Sequence, residues 1–200
     1  MSSLSGLVSL QDAFTMETFP SLNPDHLELG PAKQRDSKAY FPHYHQPIFY
    51  GGIPLVLQTP AVEMPGLTYR HYAAGEAILM AVSPWLRQQF NIIDAFVREA
   101  VTIPHDLLSK WPYRSYSYKP ICQDDLVYLI LHKSCTITQD TDDGLIDCLP
   151  ASRPPLSEGL YSLTLSIDYV YLGWHRHNCL YSTHFRITHI HFQPKTLTPD

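Results

Sequence analysis

Ile48-Phe49-Tyr50-Gly51-Gly52-Ile53-Pro54-Leu55-Val56-Leu57-Gln58-Thr59-Pro60-Ala61-Val62-Glu63-Met64-Pro65-Gly66 is the stretch from which the rest of the chain is read. Gly51-Gly52 predicts a tight turn feeding a short apolar strand, Ile53–Leu57, which Thr59-Pro60 ends before a second turn at Pro65-Gly66. Gln58 and Thr59 then sit at a strand end beside aromatics, with no catalytic group among them. Such a layout suits a surface that holds something extended better than a pocket that performs chemistry.

The same texture of short apolar runs cut by Pro and Gly continues on both sides, from Tyr40 onward. Further strands are expected at Glu76–Val82, Leu126–Thr138, Leu160–Leu172 and His184–Phe192, a spacing that reads as an antiparallel sandwich or barrel. In the clearest of them Tyr161, Leu163, Leu165, Ile167, Tyr169 and Tyr171 share one face, opposite Ser162, Thr164, Ser166 and Asp168. Near Tyr169 the run becomes apolar on both faces. Residues 84–101 break the β texture: Ser83 caps, Pro84 opens, and Leu86, Phe90, Ile93, Val97 and Ala100 form one helical stripe. Arg87, Gln88, Asp94, Arg98 and Glu99 are expected on the other side, and Pro104 stops the helix. Residues 1–38 lack sustained periodicity and read as a loosely ordered arm ahead of a single domain, 39–200.

Two hundred residues suffice to bury a core, and 44% hydrophobic against 16% charged residues describes a globular chain low in charge. Thirteen Tyr exceed the three Trp and eight Phe, supplying rings with an apolar face and a polar tip. A net charge of −5 offers nucleic acid no global attraction, so a polyanion would need a local basic track. Cys122, Cys135, Cys148 and Cys179 form no C-x-x-C pair, and reduced thiols in an intracellular protein are the default expectation. No apolar run reaches membrane-spanning length.

Catalytic signatures are scarce. There is no G-x-S-x-G elbow, P-loop or dinucleotide fingerprint, and no enzymatic activity is expected. Asp140–Asp147 fails as a calcium loop because Gly144 falls at position five, so Asp143-Gly144 is read as a hairpin turn. His175 and His177, with His189 and His191 on a later strand, raise a metal site, and His43 and His45 raise the same question inside a Pro-rich loop. No third ligand is evident, and no cofactor or metal is expected. Trp111-Pro112-Tyr113-Arg114-Ser115-Tyr116-Ser117-Tyr118-Lys119 instead alternates rings with polar or basic residues, the pairing of stacking and local cations that holds single-stranded nucleic acid.

Several of these segments, in order, resemble the single-stranded-DNA-binding proteins of large DNA viruses and tailed phages. The similar parts are Tyr50–Pro60, close to that family's P-L-x-x-Q-T-P strand, the helix Leu86–Val97 with its Ile93-Asp94 step, and Trp111 leading to Lys119-Pro120-Ile121. The Gly159–Tyr171 strand and Phe185–Ile190 complete the set, so the resemblance covers roughly residues 48–192. It implies an elaborated OB-fold-like antiparallel barrel, mainly β with one amphipathic helix, that binds single-stranded DNA without sequence preference in viral DNA replication or recombination. It implies an intracellular location at sites of viral DNA replication, with replication proteins and further copies of the chain as additional partners and no membrane. On this reading Trp111, Tyr113, Tyr116, Tyr118 and Trp174 stack on bases, and Arg70, Arg114, Lys119, Lys133, Arg176 and Arg186 contact phosphates. Two rivals stand beside it: a β-sandwich assembly protein of a virion, and a metal enzyme built on His175, His177 and His189.

Overall fold

The computed structural model describes residues 7–8, 21–35, 43–63, 69–72, 75–105, 109, 116–122, 126–148, 159–175 and 178–194. The protein is mainly β, as the alternating runs predict. In chain order the strands are β1 (Leu7–Val8), β2 (Leu27–Leu29), β3 (Lys33–Gln34), β4 (Tyr44–Tyr50), β5 (Ile53–Pro54), β6 (Val56–Gln58) and β7 (Val62–Glu63). They continue as β8 (Tyr69–Tyr72), β9 (Gly75–Ala81), β10 (Tyr116–Lys119), β11 (Leu126–Thr141), β12 (Gly144–Asp147), β13 (Gly159–His175) and β14 (Asn178–Pro194). Helix α1, Pro84–Ala100, lies between β9 and β10.

The helix follows its sequence signals closely. The Ser83 side chain accepts the Leu86 N–H at 3.3 Å, and Pro84 takes the first position, where its missing N–H leaves no orphan donor. Leu86, Phe90, Ile93 and Val97 are all buried, and Phe90 meets Phe185 of β14 with ring centroids 5.5 Å apart. Each such side chain contributes about 1.5–3 kcal/mol by leaving water. One expectation fails: Asp94, assigned to the solvent side, is buried, as is Gln89. Both sit beside the apolar stripe, and both are held by polar partners that the periodicity does not reveal.

The sheet is mixed and open along its path, β1-β6-β13-β14-β11-β9-β8, where an antiparallel barrel was expected. β13 and β14 form a long antiparallel hairpin from the Gly159–Pro194 pair to the His175–Asn178 pair. β14 gives its other edge to β11, and these two pair in parallel. β10 lies beside the earlier part of β14, also in parallel.

The N-terminal segment departs from the expected arm. Leu22 and Leu27 are buried, Leu22 N–H donates to Gln89 Oε1 at 2.7 Å, and β2 and β3 both pair with β4. β4 itself was read as a Pro-rich loop. Pro47 is tolerated because β4 changes partners there, from β13 at Tyr44–Pro47 to β2 from Ile48 onward.

The opening stretch forms two strands rather than one. Leu55, fully buried between β5 and β6, donates to Ile48 O at 3.3 Å and accepts from Ile167 N at 2.9 Å. Thr59 is then occupied inside the fold: its N–H donates to Leu163 O (2.8 Å), its Oγ1 accepts from Leu163 N (2.9 Å), and its carbonyl accepts from Ser162 Oγ (2.9 Å). Thr59 therefore extends the β6–β13 ladder one residue further before Pro60, which has no N–H to give. The motif is a clamp on β13.

Candidate functional site

Two single-residue bulges decide what the sheet shows to solvent. Pairing jumps from Ile167–Phe185 to Tyr169–His184, leaving Asp168 as an extra residue on β13, and from Thr164–His189 to Leu165–Ile187, leaving Thr188 extra on β14. A bulge shifts the two-residue alternation by one. Tyr161, Leu163, Leu165 and Ile167 face the core before it, and Val170 and Leu172 face the core after it. Tyr169 and Tyr171, expected on the apolar face, are thus turned to the opposite one. This accounts for the stretch near Tyr169 that reads as apolar on both sides.

That outer face carries a row of rings. Tyr169 stacks on His45 of β4 at 3.8 Å between centroids and 12° between planes, and on His184 of β14 at 4.8 Å and 7°. Tyr171 meets His45 edge-on at 6.0 Å, and its hydroxyl is hydrogen-bonded to His43 Nδ1. Directly opposed residues share a face of a sheet. The register Lys33–His45, His45–Tyr171, Tyr171–Ser182 and Ser182–Lys119 therefore draws one line across β3, β4, β13, β14 and β10. Lys33 and Lys119 are exposed at its two ends, about 19 Å apart at ordinary strand spacing.

The electrostatics of the face are restrained. Burial, then the nearby Arg35, His184 and His43, depress the His45 pKa, so its ring is neutral at pH 7. Burial raises the hydroxyl pKa of both Tyr169 and Tyr171. Burial alone would also raise Asp168, but His184 at 3.7 Å, Arg186 Nε at 2.5 Å and the Ser166 hydroxyl at 2.7 Å hold its carboxyl at about 2. The His184 contact is beyond hydrogen-bond reach, so Arg186 and Ser166 are the bonded partners. Arg186 is thereby neutralised, and among the described residues Lys33, Arg35 and Lys119 remain as the cations of this face.

Further along the same face, His189 is bracketed by hydroxyls, Thr136 Oγ1 2.7 Å from Nδ1 and Thr138 Oγ1 3.1 Å from Nε2. Thr138 Oγ1 also lies 3.1 Å from His191 Nδ1, and His191 Nε2 lies 3.4 Å from Asp140 Oδ2. Among the described residues no three His, Cys, Asp or Glu side chains are placed to hold a metal ion. Register separates the proposed ligands further: His189 is opposite Thr164 whereas His175 ends the hairpin opposite Asn178. Those positions are about 36 Å apart along β13, so His189 shares no metal with His175, and His177 lies outside the described residues.

The expected stacking and phosphate residues scatter. Trp111, Tyr113, Arg114 and Arg176 lie outside the described residues. Positions 116 and 174 both pair with Cys179 and so fall in one cross-strand row. Tyr118 is a correction: its hydroxyl donates to buried Asp94, Arg98 lies over its ring at 5.2 Å, and Tyr181 flanks it at 5.0 Å, so the ring is a strut under α1. Arg70 stands on β8 opposite Ala77, near the far edge of the sheet. Lys133 is exposed where β11 bulges between Leu131 and Thr136. Of the residues expected to contact phosphate, Lys119 joins the ring-bearing row, and Arg186 lies on the same face but paired. Lys33, Arg35, Tyr169, Tyr171 and His184 were missed as site residues, and His43 and His45 were raised only as metal ligands. The signal lay in the alternation of β4, which Pro47 obscures, and in a bulge that no single strand's pattern locates.

Set against models of known protein families, curated proteins and solved structures, the chain matches none. Among the described residues no helix is long and apolar enough to cross a membrane.

Proposed function

We propose that this chain is a non-enzymatic binding protein for single-stranded DNA, acting in viral DNA replication or recombination as the proteins it resembles do. The row of His45, Tyr171 and Ser182 with a lysine at each end carries the reading, since it offers stacking edges, hydroxyls and two separated cations across five strands. Bases join such a row by stacking on its end rings or by hydrogen-bonding to ring edges, and the lysines take phosphates on either side. The strand order adds support. Taking β6, β9, β11, β13 and β14 as first to fifth, they lie side by side as first, fourth, fifth, third, second. A pairing of the first with the second would close a five-stranded Greek-key barrel, the architecture of OB-folds that bind oligonucleotides.

The test is a salt titration of oligo-dT binding followed by fluorescence anisotropy. Three cations on the face predict a log–log slope of about −2, at about 0.7 per phosphate contact for single strands. Lys33→Ala/Lys119→Ala should reduce that slope by about 1.4 and weaken binding of every sequence alike. Absence of binding, or a slope unchanged in the double variant, overturns the reading. Large self-association without oligonucleotide affinity would favour the virion assembly alternative.

A further inference from the structure

We infer that the β11–β12 hairpin is a docking edge for an extended, basic and apolar segment of a partner protein, a surface separate from the ring-bearing face. β12 forms the sheet edge beyond β11, and among the described residues it pairs with β11 alone. Natural edge strands are blunted by Lys, Pro or bulges. Gly144-Leu145-Ile146-Asp147 is only four residues long and ends in a carboxylate, but it has no Lys, Pro or bulge, and it carries the two exposed large hydrophobics of the described fold, Leu145 at 62% and Ile146 at 49% exposure. The turn holding this edge out is built for its shape: Gly144 adopts φ +116°, and Thr141 Oγ1 donates to Gly144 O at 2.6 Å.

Charge selects the occupant. Residues 140–147 contain Asp140, Asp142, Asp143 and Asp147 and no Lys or Arg. A second copy adding β12 to β12 would bring both sets of carboxylates together, which opposes self-pairing. A strand that alternates basic and apolar residues instead continues the ladder through its main chain, covers Leu145 and Ile146, and answers the carboxylates.

The experiment uses the full chain and three fluorescein-labelled ten-residue probes: alternating Lys and Val, alternating Glu and Val, and the Lys–Val peptide N-methylated throughout. The Lys–Val probe should bind at least tenfold tighter than the Glu–Val probe, and N-methylation, which removes main-chain donors but keeps charge and side chains, should cost at least tenfold. Asp142→Asn/Asp143→Asn and Leu145→Thr/Ile146→Thr should each weaken binding at least fivefold, with near-UV circular dichroism unchanged. Equal binding of the acidic and basic probes, or full binding of the N-methylated peptide, overturns strand addition by a basic segment. Concentration-dependent self-association abolished by Leu145→Thr/Ile146→Thr would make a second copy the occupant and overturn the assignment.

Discussion

Replacing Tyr118 with Phe should cost this protein about 1.5–3 kcal/mol at pH 7, and the loss should shrink on acidification. The hydroxyl donates to Asp94, whose other partner is the Ile121 N–H at 3.1 Å, and Thr183 Oγ1 lies 3.1 Å from the same hydroxyl. Phe keeps the ring and its contact with Arg98, so the change removes only the hydroxyl's bonds, of which the one to the buried carboxylate dominates at about 1.5–3 kcal/mol. The pH dependence follows from Asp94. Burial raises its pKa, opposed by the Tyr118 hydroxyl, the Ile121 N–H and Arg98. A carboxyl raised in the folded state binds more protons than in the unfolded chain, so its ionisation weighs against folding as pH rises through the raised pKa. Removing the hydroxyl lifts that pKa further and deepens the penalty above it, whereas below it both proteins carry a neutral acid and the difference fades. In urea melts the pH 7 deficit corresponds to a midpoint lower by about 1 M, for a slope near 2 kcal/mol/M. A deficit under about 0.5 kcal/mol, or one constant from pH 8 to pH 4, would refute the reasoning. An Asp94→Asn/Tyr118→Phe double-mutant cycle with no coupling would do so independently.

Asp168→Asn should destabilise by about 1–2 kcal/mol at pH 7, allowing for solvent around its partly exposed partner Arg186. Because the folded carboxyl is held at about 2, this loss should vanish as pH falls from about 4 to about 2, which paired melts of wild type and variant would show. His45 and His189 both have depressed pKa values, so stability should fall as pH drops below about 6.5, and His45→Gln/His189→Gln should flatten the stability slope between about pH 7 and pH 5. Gly173→Ala should cost about 1–3 kcal/mol in thermal melts, since its Cβ would lie 2.5 Å from Tyr171 Oη and 2.6 Å from His43 Nδ1, parting that pair.

The parts of the fold legible in the sequence are those governed by local signals. Ser83, Pro84 and the apolar stripe specify α1 to within a residue of its end, and the hairpin closes one residue earlier than expected, at Asp142-Asp143 with Gly144 already paired to Thr141. Long-range effects hid the rest. Pro47 argues against a strand unless a partner change is known, and Thr59 reads as a strand terminus although its side chain completes a ladder with a strand about a hundred residues away. Asp94 looks solvent-facing because nothing nearby in the chain announces Tyr118 and Ile121 as its partners. The ring-bearing face was hidden for the same reason: it is assembled from strands whose register only the fold supplies.

Asp168 also governs how β13 tolerates changes of length. Deleting it would join the Ile167–Phe185 and Tyr169–His184 pairs directly, and plain alternation would keep Tyr169 and Tyr171 outward and Val170 and Leu172 inward. A codon lost elsewhere in β13 would instead exchange the strand's interior for its exterior on one side of the loss. The single-residue losses this hairpin absorbs are those of its own bulge residues, Asp168 on β13 and Thr188 on β14.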